Sequence, residues 1–255
     1  MTRRELLART GQVGTALAVG LPAAEAASDS QPQIQSPVGR KLKVLVAGGH
    51  PGDPEYGCGG TIAHYSDLGH EVVLLYLNNG EWPAAQGGAA AHIRMAEGSK
   101  ACEILKARPV YAGQVNGHAV LDGAHFDDFR KILKAELPDV VFTQWPIDCH
   151  GDHRATSALA LDAWLQMEKK FALYYYEVSN GEDTLQFSPT HYVDITGTEP
   201  RKRAACYAHA SQTPDRYYDL QDLVARFRGI ESGYKRAEGF VLQMGSPYEA
   251  LPPAS

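Results

Sequence analysis

Several chemistries are missing from this sequence. It has four cysteines in 255 residues, and none forms a C-x-x-C pair, so neither a cysteine-rich zinc module nor a thioredoxin-type redox centre is encoded. Export would permit disulfides, but spacing assigns no pairs, and small buried thiols are the expected role of Cys58, Cys102, Cys149 and Cys206. There is no G-x-S-x-G turn for a serine nucleophile. The "GCGGTI" stretch lacks the G-x-G-x-x-G spacing of a dinucleotide site. Basic excess is absent too. The formal charge is -6, which argues against nucleic acid or an anionic membrane surface as a partner. Beyond the N-terminus no stretch approaches the roughly 20 apolar residues of a membrane span, and no internal repeat is visible.

The N-terminal residues have their own grammar. "MTRRELLART" carries Arg3-Arg4 and then Leu6-Leu7, a weakly apolar Gly/Ala-rich stretch runs from Val13 to Ala24, and "AAEAA" supplies small residues. These three regions in order resemble a twin-arginine signal peptide over residues 1–26, so an exported, periplasmic or extracellular protein is expected. Residues 27–40, "ASDSQPQIQSPVGR", read as a linker.

Strands and helices then alternate. "KLKVLVAG", "EVVLLYLN", "PVYAG", "DVVFTQW" and "FALYYYEV" read as strands. Between them "GGTIAHYSDLG", "AAHIRMAEGSKACEILKA", "HFDDFRKILKAEL" and "DHRATSALALDAWLQM" carry helical spacing, stopped by Gly69, Pro109 and Pro138. This alternation predicts an α/β fold, a Rossmann-like, mostly parallel sheet with helices on both faces. Beyond about residue 180, "THYVDIT" reads as a further strand, "EPRKRAACYAHASQ" and "LQDLVARFRGIESGYKR" as helices, and "GSPYEALPPAS" as an irregular tail.

In open parallel sheets, sites form beyond the carboxyl ends of the strands. Two polar clusters fall there: His50, Asp53 and Glu55 after the first strand, and Asp148, His150, Asp152 and His153 after "DVVFTQW". Either alone could be a helix cap or a surface loop. At one sheet edge they would supply a His/Asp/His set with an open position for water, a plausible zinc site.

"GGHPGDPEYGCGGT" followed by "HGDHRAT" resembles the LmbE/PIG-L family of zinc-dependent N-acyl deacetylases, whose members carry H-P-D-D-E after the first strand and H-P-D-H later. Arg94 and Glu97, "THYVDIT" and "HASQ" at 209–212 extend the likeness over most of residues 41–250. The resemblance implies one zinc ion held by His50, Asp53 and His153, with His150 stabilising the oxyanion or protonating the leaving amine. It also implies that Asp152 orients a histidine and that His209 lies near the substrate. The implied reaction removes an N-acyl group, most naturally N-acetyl, from an amino sugar or glycoconjugate, with that N-acyl sugar as the partner.

Two positions depart from the family pattern. Gly151 replaces a proline, a mild change. Gly52 stands where the family carries the aspartate that serves as general base, and Pro54 where it carries glutamate. A hydrolase would then need another proton acceptor, and the candidates are Glu55, three residues past Gly52, and Asp148, two residues before His150 at the mouth of the same crevice. The alternative is a carbohydrate-binding relative that no longer cleaves. Arg94 could bind a polar substrate group or simply pair with Glu97. His64 and His70 read as packing or surface residues, His92 and His118 as residues on loops near the crevice, and Tyr174–Tyr176 as core and one wall.

Overall fold

The computed structural model describes residues 39–253, so the signal-like segment and nearly all of the expected linker lie outside the described residues. Among the described residues seven strands form one sheet in the order β3-β2-β1-β4-β5-β7-β6. They are β1 (Lys43–Gly48), β2 (Glu71–Asn78), β3 (Arg108–Gln114), β4 (Val140–Gln144), β5 (Ala172–Tyr176), β6 (His191–Asp194) and β7 (Ala237–Leu242). The first five are parallel, whereas β7 runs antiparallel to both β5 and β6. The expected α/β architecture is therefore present, with an antiparallel edge.

Among the described residues six α-helices occur, in chain order α1 (Asp53–Asp67), α2 (Ala91–Leu105), α3 (Gly123–Glu136), α4 (Gly151–Gln166), α5 (Glu199–Tyr207) and α6 (Pro214–Ser232). Alternate strand residues sort to two faces, as the pleat requires. Val44, Val46, Leu74, Phe142 and Tyr174 pack against α1, α2, α5 and α6 through Ile62, Cys102, Ala205 and Ala225. Leu45, Leu75, Val141 and Leu173 pack against α3 and α4 through Phe129, Leu133, Leu159 and Trp164. Both faces are covered, which is why the central strands read as continuous apolar runs. Among the described residues no helix is long and apolar enough to cross a membrane.

The strand order reverses between β1 and β4, and their carboxyl ends open a crevice at that switch point. The two polar clusters emerge there. α1 begins at Asp53, ahead of the "GGTIAHYSDLG" stretch that carries its helical spacing. The glycines Gly57, Gly59 and Gly60 are therefore inside the helix, where a Cβ would collide with Tyr176, Lys202 and Ile195. β7 carries no alternating pattern and was absent from the sequence expectation. Of the cysteines, Cys58, Cys102 and Cys206 are buried free thiols as expected, but Cys149 is exposed.

Candidate metal centre and active site

His50 leaves β1 directly, and Asp53 is the first residue of α1. Asp53 Oδ2 accepts from the His50 backbone N–H at 2.8 Å and lies 3.0 Å from His50 Nδ1. The same oxygen lies 3.3 Å from His153 Nε2 on the first turn of α4. Donors bound tetrahedrally at about 2.0–2.1 Å to one zinc ion lie about 3.3 Å apart, so the spacing suits a single divalent cation. His50, His150 and His153 each offer a nitrogen within 4.8 Å of the others. The donor set expected from sequence is thus brought together, with His150 as a fourth neighbour.

Two of the imidazoles have a carboxylate behind them. His50 Nε2 is 3.1 Å from Asp152 Oδ2, which leaves Nδ1 for the Asp53 side. Asp152 also accepts from Asn78 Nδ2 and from the backbone N–H groups of Gly117 and Ala119. His153 Nδ1 is 3.1 Å from Asp148 Oδ1, close enough for an ion pair although not aligned as a hydrogen bond. Carboxylates behind ligating histidines fix their orientation and raise their basicity. Gln144, at the end of β4, accepts from Gly49 N–H and donates to Asp53, tying the two strand ends together.

The electrostatics follow from this packing. Burial alone would raise the Asp53 carboxyl, but His153 and His50 hold it well below the ordinary range. Asp152 is likewise raised by burial yet held down to about 2 by His50 and the two backbone donors. Burial disfavours charged His153, but Asp53 and Asp148 push it up to about 10. His150 moves the other way, lowered by burial and by the two neighbouring histidines. Its Nδ1 accepts from the Asp152 N–H at 3.3 Å as the cap of α4, so the neutral ring carries its proton on Nε2.

Two expected roles change. Glu55 is fully buried and does not face the crevice. Its Oε1 accepts from Tyr76 Oη at 2.7 Å and lies 3.0 Å from His209 Nε2, while Oε2 accepts from Gly52 N–H. Asp148 accepts from the His150 N–H at 2.7 Å and from Thr184 Oγ1 at 3.0 Å in addition to facing His153. Both carboxylates are committed to holding the loops, so neither fits the role of proton acceptor for water. Arg94 does bind Glu97, at 2.8 Å, but a second arm donates to the Pro51 carbonyl inside the motif loop. It lines the crevice together with His209, whose Nε2 is already taken by Glu55.

The crevice is a cavity of about 610 Å³. Its lining brings together His50, Asp53, His150 and His153 with Trp82, Asn116, Arg216 and Tyr217, and includes Glu182 and Asp183. His64, His70, His92, His118 and Tyr174–Tyr176 are not among its lining residues. Asn78 and Gln144 were missed from sequence. Both are buried polar residues ending a strand next to or at the switch point, which is the signal that would have found them.

Residues 45–164 match the family model for PIG-L, the GlcNAc-PI de-N-acetylases. That stretch is a PIG-L/LmbE family domain. The chain is 26% identical over 230 residues to the diacetylchitobiose deacetylase of Thermococcus kodakarensis, covering 81% of this chain and 85% of that one. N,N'-diacetylchitobiose deacetylase from Pyrococcus horikoshii, solved with an inhibitor, superposes with a TM-score of 0.69 at 26% identity over 83% of this chain and 87% of that one. GalB, the 4-carboxy-2-hydroxymuconate hydratase from Pseudomonas putida KT2440, superposes with a TM-score of 0.72 at 21% identity over 82% and 99%, a likeness of fold alone. A PIG-L/LmbE fold therefore does not by itself fix the reaction, and the site must.

Proposed function

We propose that this protein is an exported, metal-dependent N-deacetylase that hydrolyses the N-acetyl group of an amino sugar or glycoconjugate. The convergence of His50, Asp53 and His153 on one point, with the His150 ring beside it, carries the reading. The chemistry named for the Thermococcus and Pyrococcus relatives supports it. His50, Asp53 and His153 would hold zinc. A divalent cation held there would supply Lewis-acid polarisation of the acyl oxygen and a lowered pKa for the attacking water. The chain itself contributes the neutral His150 ring, whose Nε2–H can donate to the oxyanion as the acyl carbon becomes tetrahedral. Trp82, Asn116 and Tyr217 offer the aromatic and amide surface a sugar ring needs.

A second reading rests on Gly52. The family's usual base is absent there, and a protein that only bound the sugar would need none. Proton NMR of the zinc-loaded protein with N,N'-diacetylchitobiose separates the two. A growing free-acetate methyl signal means hydrolysis. Saturable line broadening of the sugar with no acetate after long incubation means binding alone.

A further inference from the structure

The hydrolase reading leaves one role empty, since a group must take the proton of the attacking water. Glu55, Asp148 and Asp152 each spend both carboxylate oxygens on protein donors. Asp53 is engaged by His50, His153 and Gln144. One further aspartate lines the same cavity. Asp183 lies on the loop that follows β5, and among the described residues no donor hydrogen-bonds its carboxylate.

The loop is stitched to the metal-binding loop. The Asp183 carbonyl accepts from Cys149 N–H at 2.9 Å, one residue before His150. Leu185 N–H donates to the Ile147 carbonyl at 3.0 Å, Thr184 Oγ1 donates to Asp148, and Asp148 and Thr184 form an antiparallel bridge. Inside the loop, Glu182 and Asp183 N–H groups donate to the Ser179 carbonyl. The Asp183 backbone is thus fixed beside His150 with its carboxylate uncommitted. Sequence reasoning passed over it because "NGEDT" reads as a polar surface turn.

The geometry points to Asp183 as the general base that stands in for the carboxylate missing at Gly52. This assignment rests on the hydrolase reading above. Water attacks the acyl carbon and gives one proton to an Asp183 carboxylate oxygen. The C–N bond breaks, its electron pair stays on nitrogen, and the Asp183 carboxyl returns the proton there. The products are the amine and a carboxylic acid, which ionises. The local field suits a proton acceptor. Burial pushes Asp183 up to about 6, with Asp53, Asp148 and Glu182 acting in the same direction and His153 opposing them. A bound cation would draw it down.

The test compares wild type, Asp183→Asn and Glu182→Gln. Three quantities are measured: metal content, acetate release across pH, and the visible spectrum of the cobalt-substituted proteins between pH 5 and 9. Asp183→Asn should keep full metal content, lower kcat by about 10²-fold or more with little change in KM, and abolish the acid limb of the rate profile. It should also shift the pH transition of the cobalt spectrum. An Asp183→Asn protein with kcat within threefold of wild type overturns the assignment, as does an unshifted cobalt transition, or a rate loss confined to Glu182→Gln. If wild type releases no acetate from any N-acetyl sugar while the cobalt transition still depends on Asp183, it is the deacetylase reading that fails.

Discussion

His50 Nε2 lies 3.1 Å from Asp152 Oδ2, although the two residues are 102 positions apart. The carboxylate is itself held by Asn78 and two backbone N–H groups, so the imidazole is oriented before any metal arrives. Asp152→Asn should therefore weaken zinc affinity by about 10–100-fold, against loss of stoichiometric binding in His50→Ala and His153→Ala. A competition titration with a chromogenic chelator measures this. An Asp152→Asn affinity equal to wild type would show that the contact orients nothing.

Proton linkage gives a second prediction. In the metal-free protein, folded His153 is raised to about 10 against 6.5 unfolded, so its contribution to stability is full below about pH 6.5 and is lost as pH rises through about 10. Asp152 is held down to about 2 against 3.8, so its contribution is present above about pH 3.8 and is lost as pH falls through about 2. A ligating histidine must be neutral. Zinc binding at pH 7 should release at least one proton, and affinity should rise with pH. Calorimetry in two buffers of different ionisation enthalpy counts the protons, and a buffer-independent heat would contradict the charged state of His153.

Glu55 supports structure rather than chemistry. Glu55→Gln weakens a fully buried acceptor of Tyr76, His209 and the Gly52 N–H. The expected outcome is a loss of about 1–3 kcal/mol in denaturant unfolding, with kcat of the folded protein changed less than tenfold. A hundredfold drop in kcat at unchanged stability would make Glu55 a candidate base again.

Gly52 has φ +119°, a conformation L side chains rarely adopt, but the nearest atoms to an added Cβ are those of the Tyr56 and His209 rings, in ordinary contact at 3.8–3.9 Å. Gly52→Asp should fold with a penalty of about 1–3 kcal/mol. Combined with Asp183→Asn, it should restore at least tenfold of the lost rate, because it returns a carboxylate to the family position. A double variant no faster than Asp183→Asn alone would mean that the cavity does not accept a base from that side.

Periodicity made the parallel half of the sheet legible, because strands buried on both faces are continuous apolar runs and the first three helices stop just before Gly69, Pro109 and Pro138. The antiparallel edge was only half legible. β7, "AEGFVL", alternates poorly because Glu238 points inward to bind Lys202 at 2.6 Å and the N–H groups of Gly60 and Thr61. The start of α1 was hidden by glycines that look like a loop but are required by close packing against Tyr176 and Ile195. In the site, the two motifs and the family resemblance they carry pointed to His50, Asp53, Asp152 and His153, and the structure brings these side chains together. Spacing could not show which carboxylates were already used. Asp148 and Glu55 look free in sequence and are not, whereas Asp183 looks like a turn residue and has its carboxylate uncommitted.

Export rests on Arg3-Arg4 and the small residues that follow. Replacing both arginines by lysine should leave precursor in the cytoplasm, and protein recovered outside should lack about the first 26 residues. Secretion unaffected by the double substitution would remove the twin-arginine proposal.

The central claim is that the His50, Asp53 and His153 site cleaves an N-acetyl amide with a bound metal ion. The direct measurement is acetate release from N,N'-diacetylchitobiose and N-acetylglucosamine by purified protein, stripped with chelator and then titrated with zinc. The account predicts no acetate from stripped protein and a rate rising to saturation near one zinc per chain, with one free amine per acetate. It would be contradicted by acetate release that is indifferent to chelation, or by a fully zinc-loaded protein that releases none.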